Sequence, residues 1–353
     1  MLRMSILRFS ILRFSILSSL LLLNLSCSSA HFNTKQLFET DGKYDSEFPY
    51  KNGSAQLEQI SNTIYRVSSV AFYRTYTFDS KSKFKKSDLT DEIIKKNFIK
   101  TTVIDKPALG TGTLIYSNRQ TVGILTCAHV VDFPDTVFTY FAESNGIFSD
   151  YVQSISFKTR ENIYVAGFPE GSQVDIILMD EDLDVALLGR QFGGDKAAKF
   201  PVFNYPFGSA KELEWGSFVY LLGYPLNYKI LSRALVSSPN YDKDGSFLID
   251  APINRGFSGG MILAVRDGVP NFELVGIVQS VPEENENVLE PSPIDEKFKY
   301  SSIVPYTGDS FVKQINILKY GIAKVIPIDA ILNFLKKNKE YLISKGYFLN
   351  IFK

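Results

Sequence analysis

Apolar residues in this chain gather into short runs bounded by glycine, proline, asparagine and aspartate. Runs of this length with such punctuation predict β-strands. The first spans Thr63–Tyr73. Val122–Thr126, Val174–Met179 and Val185–Leu188 follow, and residues 101–188 as a whole keep the pattern. Gly189–Ser209, with Gly193-Gly194 inside it, interrupts the runs and reads as a crossover to a second set of strands over residues 212–328. The pattern is that of an all-β barrel or sandwich. Only at the C-terminal end does the period change. Ile328, Ile331, Leu332 and Leu335 recur at i, i+3, i+4 and i+7, which predicts an amphipathic helix. Lys336, Lys337 and Lys339 lie towards its end, where cations complement the helix dipole.

Three segments fall outside this pattern. Residues 28–58 are polar and aperiodic and read as a tether. Residues 78–107 read as an insertion, with seven lysines between Lys81 and Lys100 and a short helix over Asp88–Phe98; such a charge run is expected as a solvated loop. The acidic stretch Pro282–Glu296 is expected as an exposed loop.

At the N-terminus Arg3, Arg8 and Arg13 precede an apolar stretch, Ile16–Leu25, and then Cys27. The stretch is too short to span a membrane and reads as an export signal. The repeated Ser-Ile-Leu-Arg-Phe at residues 5–9 and 10–14 is a duplication inside it. The whole chain balances 38 basic against 38 acidic residues; leaving out the three arginines of residues 1–27 leaves a slight acidic excess. That excludes an electrostatic case for nucleic-acid binding. Hydrophobic residues make up 45% of the chain, ample for a core, and the 14% aromatic content suits strands. Cys27 and Cys127 are the two cysteines. Cys127 is expected as a small buried residue rather than a nucleophile.

The candidate chemistry sits in three segments: Thr126-Cys127-Ala128-His129, Asp182 to Leu188, and Gly256-Phe257-Ser258-Gly259-Gly260. Of the two histidines, His31 lies beside the signal, which leaves His129 as the candidate catalytic imidazole. A serine hydroxyl needs a base within hydrogen-bond reach, and the base needs a third group to fix its tautomer. His129 fits the base, Asp184 the orienting carboxylate and Ser258 the nucleophile. An aspartate opening the buried run Val185–Leu188 is costly unless its charge is hydrogen-bonded, and a histidine would satisfy it. The glycines around Ser258 permit a tight turn that aims the Gly256 and Ser258 amides at one point, an oxyanion hole.

In that order these residues resemble the trypsin-like (chymotrypsin-fold) serine proteases, within them the bacterial HtrA-like branch. Gly110-Thr111-Gly112-Thr113-Leu114-Ile115 resembles the family strand before the histidine strand. Gly216 to Pro225 resembles its strand ending in Gly-Asn-Pro, Asp250 to Arg255 the approach to the nucleophile, Leu274 to Val278 the pocket strand, and Ala323 to Asp329 the start of the closing helix. The resemblance covers roughly residues 60–337 and implies two six-stranded antiparallel β-barrels with a C-terminal α-helix. Barrel one is expected over about 59–195 and barrel two over about 210–328, within a protease domain of 59–337; 328–353 form the helix and tail. Val130 stands where animal trypsins follow the histidine with cysteine. Phe257 stands where they carry aspartate, so activation by the trypsinogen route is not expected.

The resemblance implies a serine endopeptidase acting on protein or peptide substrates, with neither cofactor nor metal. The substrate pocket is expected around Pro252, Asn254, Arg255, Gln279, Ser280 and Val281. Pro252 stands where trypsins place the pocket acid, which implies a small or medium apolar side chain before the scissile bond. Leu23-Asn24-Leu25-Ser26-Cys27 resembles a bacterial lipoprotein cleavage box, with Asn24 in place of the usual aliphatic residue. It implies a signal over 1–27, lipidation of Cys27 and membrane attachment in the periplasm, outer membrane or cell surface; an ordinary secretory signal is the alternative. No peptide-binding domain of the kind HtrA proteins carry is expected in the residues after 337. A catalytically silent surface-binding protein on the same scaffold is the rival reading. An α/β-hydrolase esterase is disfavoured because those enzymes run Ser, Asp, His along the chain.

Overall fold

The computed structural model describes residues 40–143, 148–168, 173–194, 200–280, 283–291, 303, 305, 307–318 and 321–352. The expected signal over 1–27, with Cys27, and His31 lie outside them. Among the described residues no helix is long and apolar enough to cross a membrane.

A short helix, α1 (Ser54–Ser61), leads into β1 (Ile64–Phe78). The chain continues through α2 (Asp91–Asn97), β2 (Phe98–Ser117), β3 (Thr121–Thr126), β4 (Thr136–Ala142), β5 (Phe148–Val165), β6 (Gln173–Asp180) and β7 (Val185–Gln191). Six of these strands pair antiparallel in the order β1-β2-β3-β7-β6-β5 and close through β5 back onto β1. β4 adds a seventh strand on the outside of β5. The second half contributes β8 (Phe218–Gly223), β9 (Ile230–Ser238), β10 (Phe247–Ile249), β11 (Met261–Val265) and β12 (Phe272–Ser280). A hairpin follows, β13 (Glu283–Pro291) with β14 (Ser310–Leu318), then β15 (Ala323–Pro327). Its closed barrel runs β10-β15-β12-β11-β8-β9. The expected pair of six-stranded antiparallel barrels is therefore present.

β3, β7, β8 and β11 are buried on both faces along most of their length, which is why they read as unbroken apolar runs. On β8, Phe218, Tyr220 and Leu222 join the core shared with barrel one, while Val219 and Leu221 turn into barrel two. On β11, Met261, Leu263 and Val265 alternate in the same way with Ile262 and Ala264. Period two is retained; only the polar partner is missing, because neither face meets water.

The predicted helix is α3 (Ile328–Lys337), with Ile328, Ile331 and Leu335 buried and Leu332 packed half-buried against the shared core. A second short helix, α4 (Lys339–Ser344), follows it.

Three expectations need correction. Residues 99–107 form a strand, not a loop. β1 and β2 pair continuously from Ile64–Thr113 to Tyr76–Thr101 and beyond, while the other edge of β1 pairs with β5 as far as Thr77–Ser154, so residues 99–107 form the edge of an extended sheet. Its β-branched residues, Thr101 to Ile104, favour that pairing, and Lys81 to Lys96 occupy only its tip. There the short helix expected within Asp88–Phe98 is present as α2, capped by the Thr90 side chain. The segment expected as a tether is bound to barrel two from Gly42 onward. Tyr44 is buried, donates to Glu273 (2.7 Å) and lies under the Arg266 guanidinium (4.1 Å). The Asp45 backbone bridges Val265 and Phe218. Finally, residues 283–291 of the acidic stretch are a paired strand, bonded through its backbone to β14.

Candidate active site

β3 is buried throughout and delivers the chain into a single helical turn, Ala128–Val130. Cys127, Ala128 and Val130 point inward and the His129 side chain emerges 46% exposed. β7 pairs with β3 so that Ala186 stands opposite Thr126, which sets the start of β7 beside the end of β3. Asp184 immediately precedes β7. It closes a turn in which Asp180 accepts from the Leu183 amide (2.9 Å), and it takes a left-handed φ of 59°. A short polar side chain tolerates that conformation.

The ladder thus places His129 and Asp184 together. His129 Nδ1 lies 2.8 Å from Asp184 Oδ2 and 3.0 Å from Oδ1. A carboxylate only accepts, so Nδ1 carries the proton and Nε2 is left as the basic nitrogen. The His129 amide also donates to Asp184 Oδ1 (2.9 Å), and the Ala128 amide donates to the Asp184 carbonyl (3.2 Å). The buried carboxylate is therefore compensated, and the imidazole is held by both its ring and its backbone.

Ser258 lies in the loop between β10 and β11. Asn254 to Phe257 form a β-turn closed by the Phe257 amide on the Asn254 carbonyl (3.1 Å). Its third residue, Gly256, has φ 97°, as a type II turn requires. A Cβ there would also stand 2.5 Å from the Tyr224 carbonyl, so glycine is required twice over. The Gly259 amide donates to the Val278 carbonyl and the Val278 amide to the Gly260 carbonyl, both at 2.8 Å, which fastens the loop to β12. Gly256 is buried and Ser258 half-buried. Among the described residues neither of their amides has a protein acceptor, an uncommon state for a buried N–H.

Phe257 has a simple physical role. Its ring is 2% exposed within the core of barrel two and lies against the backbone of Gly223. A Cβ on Gly223 would fall 2.6 Å from the ring. Phe257 anchors the turn through packing at the position where trypsins carry an aspartate.

Of the expected pocket residues, Pro252 and Arg255 are exposed and Asn254 and Gln279 half-buried. Ser280 ends β12; its side chain and all of Val281 lie outside the described residues. An open groove of about 970 Å³, lined by Leu178, Asp180, Asp242, Asp329 and Phe334 among others, includes none of these residues.

Cys127 Sγ, a ring nitrogen of His129 and a carboxylate oxygen of Asp184 lie within 4.8 Å of one another. They do not suit a metal. Burial, with the Asp184 charge adding to it, pushes the Cys127 thiol well above its usual pKa, and Sγ faces the Val278 carbonyl at 3.2 Å. A thiol so held is neither a thiolate ligand nor a nucleophile.

Residues 110–277 match the family model of the trypsin-like peptidase domain. Over that stretch the chain carries a trypsin-like peptidase domain. The match takes in His129, Asp184 and Ser258. Among solved structures, the HtrA-type protease AlgW with tripeptide is similar at a TM-score of 0.42 and 13% identity, over 84% of this chain and 65% of that one. The chain thus spans less than two thirds of that structure. No curated protein shows significant similarity to the chain.

Within the peptidase domain one residue escaped the sequence reading. Thr111, inside the Gly-Thr-Gly-Thr segment, is fully buried and contacts the Ser258 turn directly: its hydroxyl donates to the Gly256 carbonyl (2.8 Å). A polar residue between two glycines on a buried strand was the available signal.

Proposed function

We propose that this peptidase domain is an endopeptidase that cleaves peptide bonds through an acyl-enzyme on Ser258. His129 Nε2 takes the hydroxyl proton as Ser258 attacks the carbonyl and returns it to the leaving amine. Asp184 holds the imidazole in the Nδ1–H tautomer and stabilises the imidazolium. The Gly256 and Ser258 amides hold the developing oxyanion. Water then repeats the sequence on the ester. The observation that carries this assignment is the His129–Asp184 pair at 2.8 Å beside a serine turn whose two amides have no other acceptor among the described residues.

Within the family we assign the chain to the HtrA-like branch, on the segments 110–115, 216–225 and 323–329. With Pro252 where trypsins place the pocket acid, the domain takes a small or medium apolar side chain before the scissile bond. The export signal over 1–27 carries it out of a bacterial cell, and lipidation of Cys27 attaches it to the periplasmic or outer surface of a membrane. Mass spectrometry of the N-terminal peptide tests the attachment: a diacylglyceryl-cysteine at Cys27 supports it, and cleavage at another residue with an unmodified terminus refutes it. Cleavage-site profiling on a proteome, with Ser258→Ala as control, tests the specificity. Dominant cleavage after basic residues would overturn the apolar preference.

A further inference from the structure

Thr111 joins the two barrels at the candidate site. Its N–H donates to the Ser258 carbonyl (2.7 Å). Its hydroxyl donates to the Gly256 carbonyl (2.8 Å) and accepts from the Tyr224 amide (2.8 Å). Its own carbonyl accepts from the Thr126 hydroxyl (2.7 Å). One fully buried residue of β2 therefore ties the end of β3, three residues before His129, to the end of β8 and to the turn that carries Ser258.

We propose that Thr111 is a positioning residue that holds the Gly256 amide at the oxyanion through the Gly256 carbonyl. The proposal rests on the catalytic assignment of Ser258 and Gly256 made above. A type II and a type I turn differ mainly by a flip of their central peptide. Here that peptide is Arg255–Gly256, and its orientation decides where the Gly256 N–H points. Its carbonyl, on Arg255, accepts from the Leu226 amide (3.0 Å), so in a trans peptide the Gly256 N–H faces the other way. The next carbonyl along, on Gly256, is held by the Thr111 hydroxyl. Two consecutive carbonyls, each with its own donor, fix both peptide planes around Gly256.

Removing the hydroxyl orphans two backbone groups together: the buried Gly256 carbonyl, and the Tyr224 amide that donates to the same oxygen. Unpaired buried polar groups are costly, and rotation of the turn is the available relief. Moving Gly256 from φ 97° toward the negative φ of a type I turn would swing its N–H off the oxyanion. Trypsin-like chemistry would then fail at transition-state stabilisation while substrate binding persisted.

The test uses the whole chain and the variants Thr111→Val, Thr111→Ser and Thr111→Cys. Readouts are the labelling rate of Ser258 by a fluorophosphonate, kcat and KM on fluorescein-labelled casein, and thermal melting. Loss of one oxyanion donor costs about 10²–10³ in kcat, and a displaced donor somewhat less, so Thr111→Val should lose about 10- to 100-fold in labelling rate and kcat. KM should move by less than about threefold, the signature of an interaction made only in the transition state. Thr111→Ser, which keeps the hydroxyl, should stay near wild type, with Thr111→Cys between. Equal labelling of Thr111→Val and wild type would overturn the proposal. So would equal losses in the serine and valine variants, or a loss that tracks only the folded fraction. If the valine variant does not fold, the serine and cysteine variants decide: equal rates refute the role. A wild type that the fluorophosphonate does not label sinks the catalytic assignment itself, and the positioning role with it.

Discussion

Phe257 offers a sharp energetic test, because the structure makes it an anchor for the turn rather than part of the chemistry. Its ring is among the largest fully enclosed side chains and packs against Gly223 inside barrel two. Phe257→Ala removes the six ring carbons from a site whose walls are strands and cannot collapse inward. Such truncations cost about 3–5 kcal/mol. At about 2–4 °C per kcal/mol for a domain of this size class, melting should fall by roughly 6–20 °C. Phe257→Leu, which refills most of the volume, should lose roughly a third of that. The assay is thermal unfolding by circular dichroism, in parallel with fluorophosphonate labelling well below the melting point. Both variants should also label more slowly while folded, in the same order, because the ring lies between Gly256 and Ser258 in sequence and fixes both. A melting temperature for Phe257→Ala within about 2 °C of wild type would refute the packing argument, since a fully enclosed ring cannot be removed at so small a cost.

Further predictions follow from the same contacts. Asp184→Asn should leave the fold intact and lower kcat by about 10⁴, because an amide no longer enforces the Nδ1–H tautomer; activity within about tenfold of wild type would contradict the orienting role. Cys127 should resist iodoacetamide at neutral pH in the native protein and react fully in urea, since burial holds its thiol protonated; rapid native alkylation would contradict that. Asp242 is lowered in pKa: burial raises it, but the Lys324 ammonium at 2.9 Å and the Ser246 amide outweigh this. Its contribution to stability is therefore present above its unfolded pKa and is lost as pH falls through the lower folded value. Denaturant melts of Asp242→Asn and wild type should differ at pH 7 and converge in strong acid; a gap independent of pH would refute the linkage.

What was legible in the sequence followed from local patterns. The runs Val122–Thr126 and Val185–Leu188 marked β3 and β7, and their antiparallel pairing brings His129 to Asp184. The 3.6-residue period at Ile328 marked α3. What was not legible depended on partners far along the chain. Residues 99–107 are largely exposed and show no clear alternation of burial; only their pairing with β1 makes them a strand. Tyr44 is a core residue because Glu273 and Arg266 stand ready for it, more than 200 positions away. Thr111 lies 145 positions from Gly256 and 113 from Tyr224, so no local window reveals its role. Phe257 broke the family pattern in sequence because its compensation, the bare backbone of Gly223, belongs to another strand.

The central claim is that Ser258 is a nucleophile activated by His129 and Asp184. Its most direct measurement is intact-protein and peptide mass spectrometry after treatment with a fluorophosphonate. The account predicts one adduct per chain, located on Ser258, abolished by Ser258→Ala and strongly slowed by His129→Gln. Absence of an adduct on folded wild type, or an adduct that persists in Ser258→Ala, would contradict it.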